Sequence, residues 1–257
     1  MDSKAIPKII HQIWYQGQKF LPEKHHSMQE SWHKHHPDWQ YIFWDKDKIK
    51  QLVAKYPDVE RLYNYFPRMI MKIDLAKLII MYEYGGVYVD MDMTSLRPID
   101  PLLQNAKLIF SELDLGDTQG FSFQLWGGTM GKCTIGKAYN NAFFASIPKH
   151  PFWLHVLKAV EENKIHHWYQ PKTLYMLNST GPMLLTYILQ TEPPKDMKSY
   201  PSKILESPTI TEEAYAVHHF ANTWASSGDN ILKHLYNPWI ILFLVIALAV
   251  FWCLYLC

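Results

Sequence analysis

The sequence predicts an α/β domain with a mostly parallel central sheet, followed by one C-terminal transmembrane helix. Three observations support this prediction. Strand patterns alternate with helix patterns along most of the 257 residues. A long apolar helix pattern ends at a double glycine, Gly85-Gly86, where the next strand begins. Finally, residues 239–257 form an uncharged run with the length of a membrane span.

Composition narrows the classes of partner. A net charge of +1 argues against a dedicated nucleic-acid binder, so we expect no nucleic acid as a partner. Two of the three cysteines, Cys253 and Cys257, lie in the final apolar run, which leaves Cys133 alone in the globular part. A single cysteine cannot form an internal disulfide, so the composition gives no sign of an oxidising compartment.

The first half of the chain predicts two strands and two helices. Apolar runs at residues 9–14 and 39–44 read as strands. Asp45 is placed to cap a helix over residues 46–56. A longer helix is predicted over residues 68–84, and because it is apolar nearly all round we expect it to be buried against a sheet.

The second half continues the alternation and then changes character. Strands are predicted at residues 107–110 and 121–126, and helices at 137–146, 151–163 and 182–190. Pro193-Pro194 interrupts the pattern before a short terminal β section. We therefore predict a catalytic domain over residues 1–226, a linker over 227–238 and a membrane anchor over 239–257.

The final run fits a membrane span in length and in its ends. As a helix it would extend about 28 Å, which is close to the hydrocarbon thickness of a bilayer. Trp239, Trp252 and Tyr255 lie near its ends, as interfacial aromatic residues do. A buried core helix is the alternative, but it fits this length less well. The N-terminus has no apolar segment of the kind that a signal peptide requires.

The strand after the double glycine brings two acids together. Side chains alternate along a strand, so Tyr88, Asp90 and Asp92 should point one way and the apolar residues between them the other. Two close carboxylates repel each other unless a cation lies between them. Their hard oxygen atoms suit Mg²⁺ or Mn²⁺, which often bind together with a substrate phosphate. The alternative is a strand that ends in a solvated acidic turn.

Asp74 and Lys77 are the exceptions within the long apolar helix. They are three residues apart and therefore share one face of the helix. An internal ion pair is one explanation. Because this helix leads directly into the acidic strand, Asp74, Lys77, Asp90 and Asp92 could instead converge on one pocket.

The histidine-rich stretch between the first two strands has no spacing that defines a metal site. We interpret it as a solvated polar segment. Its histidines are His25, His26, His33, His35 and His36.

Residues 72–77 and 84–92 resemble the sugar-binding DXD region of glycosyltransferase family 32, which includes fungal inositol phosphoceramide mannosyltransferases and initiating α-mannosyltransferases. The resemblance extends in order over about residues 6–226. It continues through residues 6–14, 31–32, 36–39, 44–45, 141–146, 150–152, 180–182, 218–219 and 222–224.

The resemblance implies a GT-A fold, which is a Rossmann-like nucleotide-sugar-binding domain, and a set of site residues. The residues with implied catalytic roles are Asp74, Lys77, Asp90, Asp92 and Asn141. Those implied to bind the donor are Trp14, which would lie beside the base, and Asp74, Asp90, Asn222 and Trp224. The implied metal contacts are Asp92 and His219.

Two departures from the family pattern concern these residues. Lys77 stands where relatives often have arginine, so it keeps the charge but loses the bidentate fork. Thr223 stands before Trp224 where the family pattern has serine, which leaves the hydroxyl donor there open.

The resemblance implies a retaining transfer of a hexose, with mannose as the favoured sugar. The donor would be GDP-mannose or a UDP-hexose, and the cofactor would be Mn²⁺ or Mg²⁺. The acceptor is expected to be lipid-linked, such as inositol phosphoceramide, or alternatively a glycan or protein. Two other classes stay open: a metal-dependent phosphohydrolase or nucleotidyltransferase, and a catalytically inactive sugar-nucleotide-binding membrane protein.

The implied location is a Golgi or ER-type endomembrane, reached through the single C-terminal span. Lys233 and His234 precede the anchor and no charge follows it, which favours a cytosolic catalytic domain. The family resemblance favours the lumen instead.

Overall fold

The computed structural model describes residues 5–113, 137–168 and 172–221. These residues form an α/β domain, as predicted. Its strands, in chain order, are β1 (Ile9–Ile13), β2 (Gln40–Trp44), β3 (Gly86–Val89), β4 (Met93–Ser95), β5 (Leu108–Leu113), β6 (Ala138–Ser146), β7 (Met197–Tyr200) and β8 (Ala216–His218).

The helices surround the central sheet. A short 3₁₀ turn at Gln18–Phe20 precedes the first of them. They are α1 (Glu23–His35), α2 (Lys46–Val53), α3 (Pro57–Tyr65), α4 (Met69–Tyr84), α5 (Asp100–Leu103), α6 (Pro151–Glu162), α7 (Lys172–Ser179), α8 (Pro182–Thr191) and α9 (Ser202–Leu205).

The central sheet has six strands in the order β2-β1-β3-β6-β5-β7. Strand β1 pairs in parallel with β2 and β3, and β5 pairs in parallel with β7. Strand β6 runs antiparallel to both of its neighbours, β3 and β5. The sheet is therefore mixed, with three of its five pairings parallel.

Two apolar cores cover the two faces of this sheet. On strand β3, Tyr88 packs into one core, whereas Val87 and Val89 pack into the other. The first core contains α4 residues such as Leu75 and Ile79, and the second contains Trp32 of α1. This arrangement has helices on both faces of a sheet. Because the strand is buried on both sides, its end is held in one place.

The double glycine is required by close backbone approaches at the end of α4. Gly85 has φ +61°, and a Cβ there would lie 2.5 Å from the Pro148 nitrogen. Gly86 has φ +87°, and a Cβ there would lie 2.6 Å from the Ile9 carbonyl oxygen. Both conformations and both contacts exclude a larger residue. The helix can therefore turn directly into β3.

A second, two-stranded sheet joins distant parts of the chain. Strands β4 and β8 pair antiparallel, with Met93 opposite His218. Strand β4 begins directly after the acidic segment Asp90–Asp92, which contains the turn. Long-range pairing thus brings His218 and His219 beside the acidic turn.

The predicted helix at residues 137–146 is wrong, because this segment forms strand β6. Its neighbours β3 and β5 cover both edges, and Phe143 and Phe144 pack into opposite cores. A strand buried on both faces has a near-continuous apolar sequence, which does not show the alternation of a half-exposed strand.

The histidine-rich stretch forms helix α1 and its C-terminal cap: His26 and His33 are exposed, as a solvated polar segment predicts, but His25 and His36 are buried, and for them the interpretation is wrong. His25, Gln29, Trp32 and His36 are all buried. Their spacing of four, three and four residues places them on one face of the helix. Trp32 is fully buried and anchors this face through its Nε1–H, which donates to the Met93 carbonyl at 2.9 Å.

The helix predicted over 46–56 ends earlier, at Val53, and α3 begins at Pro57.

The strand predicted at 121–126 lies outside the described residues. So do the predicted linker at 227–238 and anchor at 239–257. Within the described ranges, no helix has the length and apolar character needed to span a bilayer.

Candidate functional site

The acidic segment forms a tight connection between β3 and β4. Strand β3 ends at Val89, so Asp90 and Asp92 lie in the following turn and not in the strand itself. The Asp90 amide donates to the Ala142 carbonyl at 2.8 Å, and the Met93 amide donates to the Asp90 carbonyl at 3.2 Å. The backbone of the turn is therefore held by hydrogen bonds on both sides.

Two donors hold the Asp90 carboxylate through the same oxygen. The Tyr88 hydroxyl donates to Asp90 Oδ1 at 2.6 Å, and Lys77 Nζ lies 3.0 Å from this oxygen. Tyr88 is buried and Lys77 is only 3% exposed. Since both donors approach Oδ1, the carboxylate has one orientation, and Oδ2 is directed away from them.

Lys77 places one positive charge between Asp74 and Asp90. Its ammonium lies 3.1 Å from the Asn141 carbonyl oxygen, 3.5 Å from Asp74 Oδ1 and 4.9 Å from the centre of the Tyr88 ring. Burial alone would lower the pKa of Lys77, but the charges of Asp90 and Asp74 raise it above its ordinary value.

Asp74 is held deeper in the protein. Its carboxylate accepts from Asn141 Nδ2 at 2.9 Å and from the Thr180 hydroxyl at 3.2 Å. Burial, together with the charge of Asp90, raises the pKa of Asp74 to about 6, against the opposing effect of Lys77. The structure thus brings Asp74, Lys77, Asp90 and Asn141 into one contact network.

The surroundings of Asp92 lower the pKa of its carboxyl, whereas those of Asp74 raise it. Its Oδ2 accepts from the Ala221 amide at 2.8 Å, and its Oδ1 lies 3.4 Å from His218 Nε2. Partial burial acts to raise the pKa of Asp92, but the hydrogen bond and charge of His218 hold it at about 2. In turn, the carboxylates of Asp92 and Glu206 raise the pKa of His218 to about 10 despite its burial.

Asp90, Asp92 and His218 form one candidate metal centre. Each offers one ligand atom, and these atoms lie within 4.8 Å of one another. The two carboxylate oxygens suit Mn²⁺ or Mg²⁺, and the imidazole nitrogen adds one softer ligand to them. The residues present therefore fit the divalent cation that the sequence predicts.

Sequence reasoning did not include His218 in the site. The neighbouring His219 was predicted as the metal contact, and its Nε2 lies 2.8 Å from the Thr94 hydroxyl. Its backbone amide donates to the Asp92 carbonyl at 3.0 Å. The role of His219 stays a prediction. The adjacent histidines were visible in the sequence, but only the pairing of β8 with β4 shows which side chain turns toward Asp92.

Trp14 lies just after β1, beside α1. Its indole nitrogen donates to the Phe20 carbonyl at 3.1 Å, and its ring centre is 5.2 Å from that of His25. His25 is only 1% exposed, and its Nδ1 makes no hydrogen bond. The predicted role of Trp14 beside a base stays a prediction. Asn222 and Trp224, the other predicted donor contacts, lie outside the described residues.

Comparison with known proteins identifies the class. Residues 22–109 match the model of the glycosyltransferase sugar-binding region containing DXD motif. This match includes α4, the double glycine and the acidic turn. The chain therefore carries the sugar-binding region of these glycosyltransferases.

Two sequence relatives illustrate the range of the family. Inositol phosphoceramide mannosyltransferase 1 of Schizosaccharomyces pombe is 32% identical over 190 residues, covering 72% of this chain and 52% of the relative. An uncharacterized glycosyltransferase of Acanthamoeba polyphaga mimivirus is 26% identical, covering 86% of this chain and 84% of the relative. The chain spans about half the length of the first curated relatives that it matches.

A solved structure supports the fold. The ligand-free glycosyltransferase domain of the YGT toxin superimposes with a TM-score of 0.52 at 10% identity, covering 91% of this chain and 86% of that domain. At this level of identity the likeness concerns the fold alone. The predicted GT-A fold is confirmed.

Proposed function

We propose that this chain is a metal-dependent, retaining glycosyltransferase. It transfers a hexose, with mannose as the favoured sugar, from a nucleotide sugar to a lipid-linked acceptor such as inositol phosphoceramide. The observation that carries the proposal is the convergence of Asp90, Asp92 and His218 at the end of β3, with the Lys77 ammonium behind them. The match to the DXD-containing sugar-binding region covers Asp90 and Asp92 and supports the proposal.

The geometry suits cleavage of a glycosyl–diphosphate bond. Breaking that bond places negative charge on the leaving diphosphate, and a divalent cation at this centre would stabilise the charge as a Lewis acid. The chain's own residues prepare the site. Tyr88 and Lys77 orient Asp90, while the Ala221 amide and His218 orient Asp92. Side chains held before binding need no reorganisation during the reaction.

We assign the donor-facing roles as the family resemblance implies. Asp74 and Asn141 would contact the sugar side of the donor and Trp14 the base. His219 with Asn222 and Trp224 would close over the diphosphate. Lys77 is better described as a positioning residue, because its ammonium is buried between Asp74, Asp90 and the Asn141 carbonyl oxygen.

The choice of donor and acceptor is supported by the names of the relatives. Inositol phosphoceramide mannosyltransferase 1 is a mannosyltransferase for an inositol lipid by its name, which favours GDP-mannose and a lipid acceptor here. We further propose the division into a catalytic domain (1–226), a linker (227–238) and a single-pass anchor (239–257) in an endomembrane of the Golgi or ER type. This arrangement would bring the site close to a lipid substrate.

A donor panel tests the reaction. The full chain in detergent is incubated with GDP-mannose, UDP-glucose and UDP-galactose in Mn²⁺, in Mg²⁺ or in EDTA, with and without inositol phosphoceramide vesicles. We expect release of a nucleoside diphosphate that depends on the metal, and a mannosylated lipid with GDP-mannose.

The other outcomes each contradict a defined part of the proposal. Donor cleavage without lipid product would move the acceptor to a glycan or protein. Release of phosphate, or a nucleotide joined to product, would indicate a phosphohydrolase or nucleotidyltransferase. Donor binding without turnover under any condition would indicate an inactive binding protein.

A further inference from the structure

Glu206 is a buried carboxylate directly after α9. It is only 2% exposed. A charged group at this depth is unfavourable unless a partner compensates its lost hydration. Glu206 is not a predicted site residue, and the metal centre just described does not include it.

The Glu206 carboxylate is committed to His218 through one oxygen. Its Oε2 lies 3.0 Å from His218 Nδ1 and also accepts a hydrogen bond from the Asn140 side-chain amide. Its Oε1 is buried and makes no hydrogen bond. Within the described ranges, His218 is the cationic partner that the structure gives to this carboxylate.

The backbone holds the two residues in register. The His218 amide donates to the Ser207 carbonyl at 2.9 Å, and the Ser207 amide donates to the Ala216 carbonyl at 3.2 Å. On its other side, strand β8 pairs with β4. The backbone positions of Glu206 and His218 are therefore held beside each other by their neighbours in the chain.

The contacts of the imidazole are divided between its two nitrogens. Nδ1 faces Glu206, and Nε2 faces Asp92 at 3.4 Å. A carboxylate that accepts from one ring nitrogen keeps the proton on that nitrogen when a bound cation displaces the proton of the other nitrogen to solvent. The other nitrogen then has a lone pair to offer a cation, and such outer carboxylates raise the metal affinity of histidine ligands.

We propose that Glu206 is a positioning residue for the metal centre: it holds His218 as the Nδ1–H tautomer with Nε2 directed at Asp90 and Asp92. The inference rests on the proposed metal-dependent function. The alternative is that Glu206 and His218 form an ion pair that contributes only to folding. The two roles differ in what they predict for metal affinity in a folded variant.

Metal affinity is the first test. Mn²⁺ binding to the full chain is measured by electron paramagnetic resonance for the wild type, E206Q, H218Q and the double variant. We expect E206Q to weaken Mn²⁺ binding by about 10-fold to 100-fold. The double variant should bind no more weakly than H218Q, because Glu206 acts through His218.

A matched control separates this effect from a general loss of a buried acid. Glu112 on β5 is partly buried and accepts from Ser199 and Lys137, away from the metal centre. E112Q should bind Mn²⁺ as the wild type does. Equal affinity for E206Q and the wild type, or additive losses in the double variant, would overturn the proposal.

The tautomer of His218 is the second test, and it does not depend on activity. Long-range ¹H–¹⁵N correlation spectra with Mg²⁺ should show Nδ1–H in the wild type and a mixture of tautomers in E206Q. If E206Q does not fold, E206D keeps the charge but withdraws the carboxylate from Nδ1. It should also lose Mn²⁺ affinity, and unchanged affinity there would count against the proposal.

The same data distinguish this proposal from the proposed function. A wild-type chain that binds no Mn²⁺ would refute the metal centre, and with it this inference. If the wild type binds Mn²⁺, D92N loses it and E206Q retains it, the metal centre stands and only the role of Glu206 is refuted.

Discussion

Asp74 and Asp92 belong to the same candidate site, but their surroundings have opposite effects on their charge. Asp74 lies inside the protein, where burial raises the pKa of its carboxyl to about 6 even beside Lys77. Asp92 lies at the end of the turn, where His218 and the Ala221 amide hold its pKa at about 2. Position relative to solvent and to the nearest cation, and not residue type, decides which acid stays fully ionised.

This difference divides the work of the site. Asp92 carries a full charge at neutral pH and is directed toward the candidate metal centre. Asp74 is enclosed by Asn141, Thr180 and Lys77, and it connects α4 to β6 and to the start of α8. The Asp92 carboxylate is therefore placed to bind a cation, whereas the Asp74 carboxylate holds together the protein groups that line the site.

The largest expected effect is on metal-dependent activity. D92N removes a charged ligand, and metal-ion charge stabilisation contributes several kcal/mol to the barrier, so transfer should fall by about 100-fold or more. Mn²⁺ affinity should fall in parallel. Nucleoside diphosphate release and Mn²⁺ titration measure the two effects. D58N is the control, because Asp58 is exposed and pairs only with Arg61 in the described structure. Activity of D92N close to that of D58N would contradict the assignment.

A smaller but still large effect should follow loss of the buried cation. K77M leaves Asp74 and Asp90 without their shared ammonium, which should lower the free energy of unfolding by about 3–5 kcal/mol. Urea unfolding at pH 8 measures the loss. Because Asp74 can take up a proton near pH 6, the destabilisation should be smaller at pH 5. A loss that does not change between pH 5 and pH 8 would show that Asp74 does not respond to Lys77.

The pH dependence of stability should have opposite signs for the two acids. The folded pKa of Asp74, about 6, is above its ordinary value of 3.8, so its contribution is present below pH 3.8 and is lost as the pH rises through 6. The folded pKa of Asp92, about 2, is below 3.8, so its contribution is present above pH 3.8 and is lost as the pH falls through 2.

From these pKa differences, the contribution of Asp74 is about 3 kcal/mol and that of Asp92 is about 2 kcal/mol. The test is urea unfolding in EDTA from pH 2 to pH 7. D74N should flatten the fall in stability between pH 4 and pH 6, and D92N should flatten the acid side below pH 4. If both variants change the same limb of the profile, the contrast between the two carboxylates is wrong.

The smallest effect should come from a single hydrogen bond to Asp74. T180V removes the hydroxyl that donates to Asp74 Oδ2, at a cost of about 1 kcal/mol in unfolding free energy. It should also raise the pKa of Asp74 further, because the ionised form loses a donor. T180S keeps the hydroxyl and serves as the control. A T180V protein as stable as T180S would show that this hydrogen bond contributes little to the wall of the site.

Several features could be predicted from local sequence because neighbouring residues decide them. Helix α4 is confirmed within one residue, and the Gly85-Gly86 pair ends it as expected. Asp45 caps α2 by accepting from the Lys48 amide at 2.9 Å. Each feature depends on contacts within a few residues, and such contacts leave a direct trace in the sequence.

Other features could not be predicted because distant residues decide them. Strand β6 is a strand because β3 and β5 lie on either side of it, and its own residues also suit a buried helix. Helix α1 has a readable signal, the spacing of His25, Gln29, Trp32 and His36. The many polar residues between them obscured it.

The sequence by itself determined the fold class, the resemblance to glycosyltransferases with a DXD region and the choice of Asp74, Asp90 and Asp92 as candidate site acids, because local patterns and a contiguous motif encode them. Only the tertiary structure decided which histidine faces Asp92 and that Glu206 supports it. The contact between Glu206 and His218 joins residues more than ten positions apart in the sequence. The contact between Asp92 and His218 joins the acidic turn to β8 across most of the described chain. The pairing of β4 with β8 creates that proximity, and no local pattern reports it.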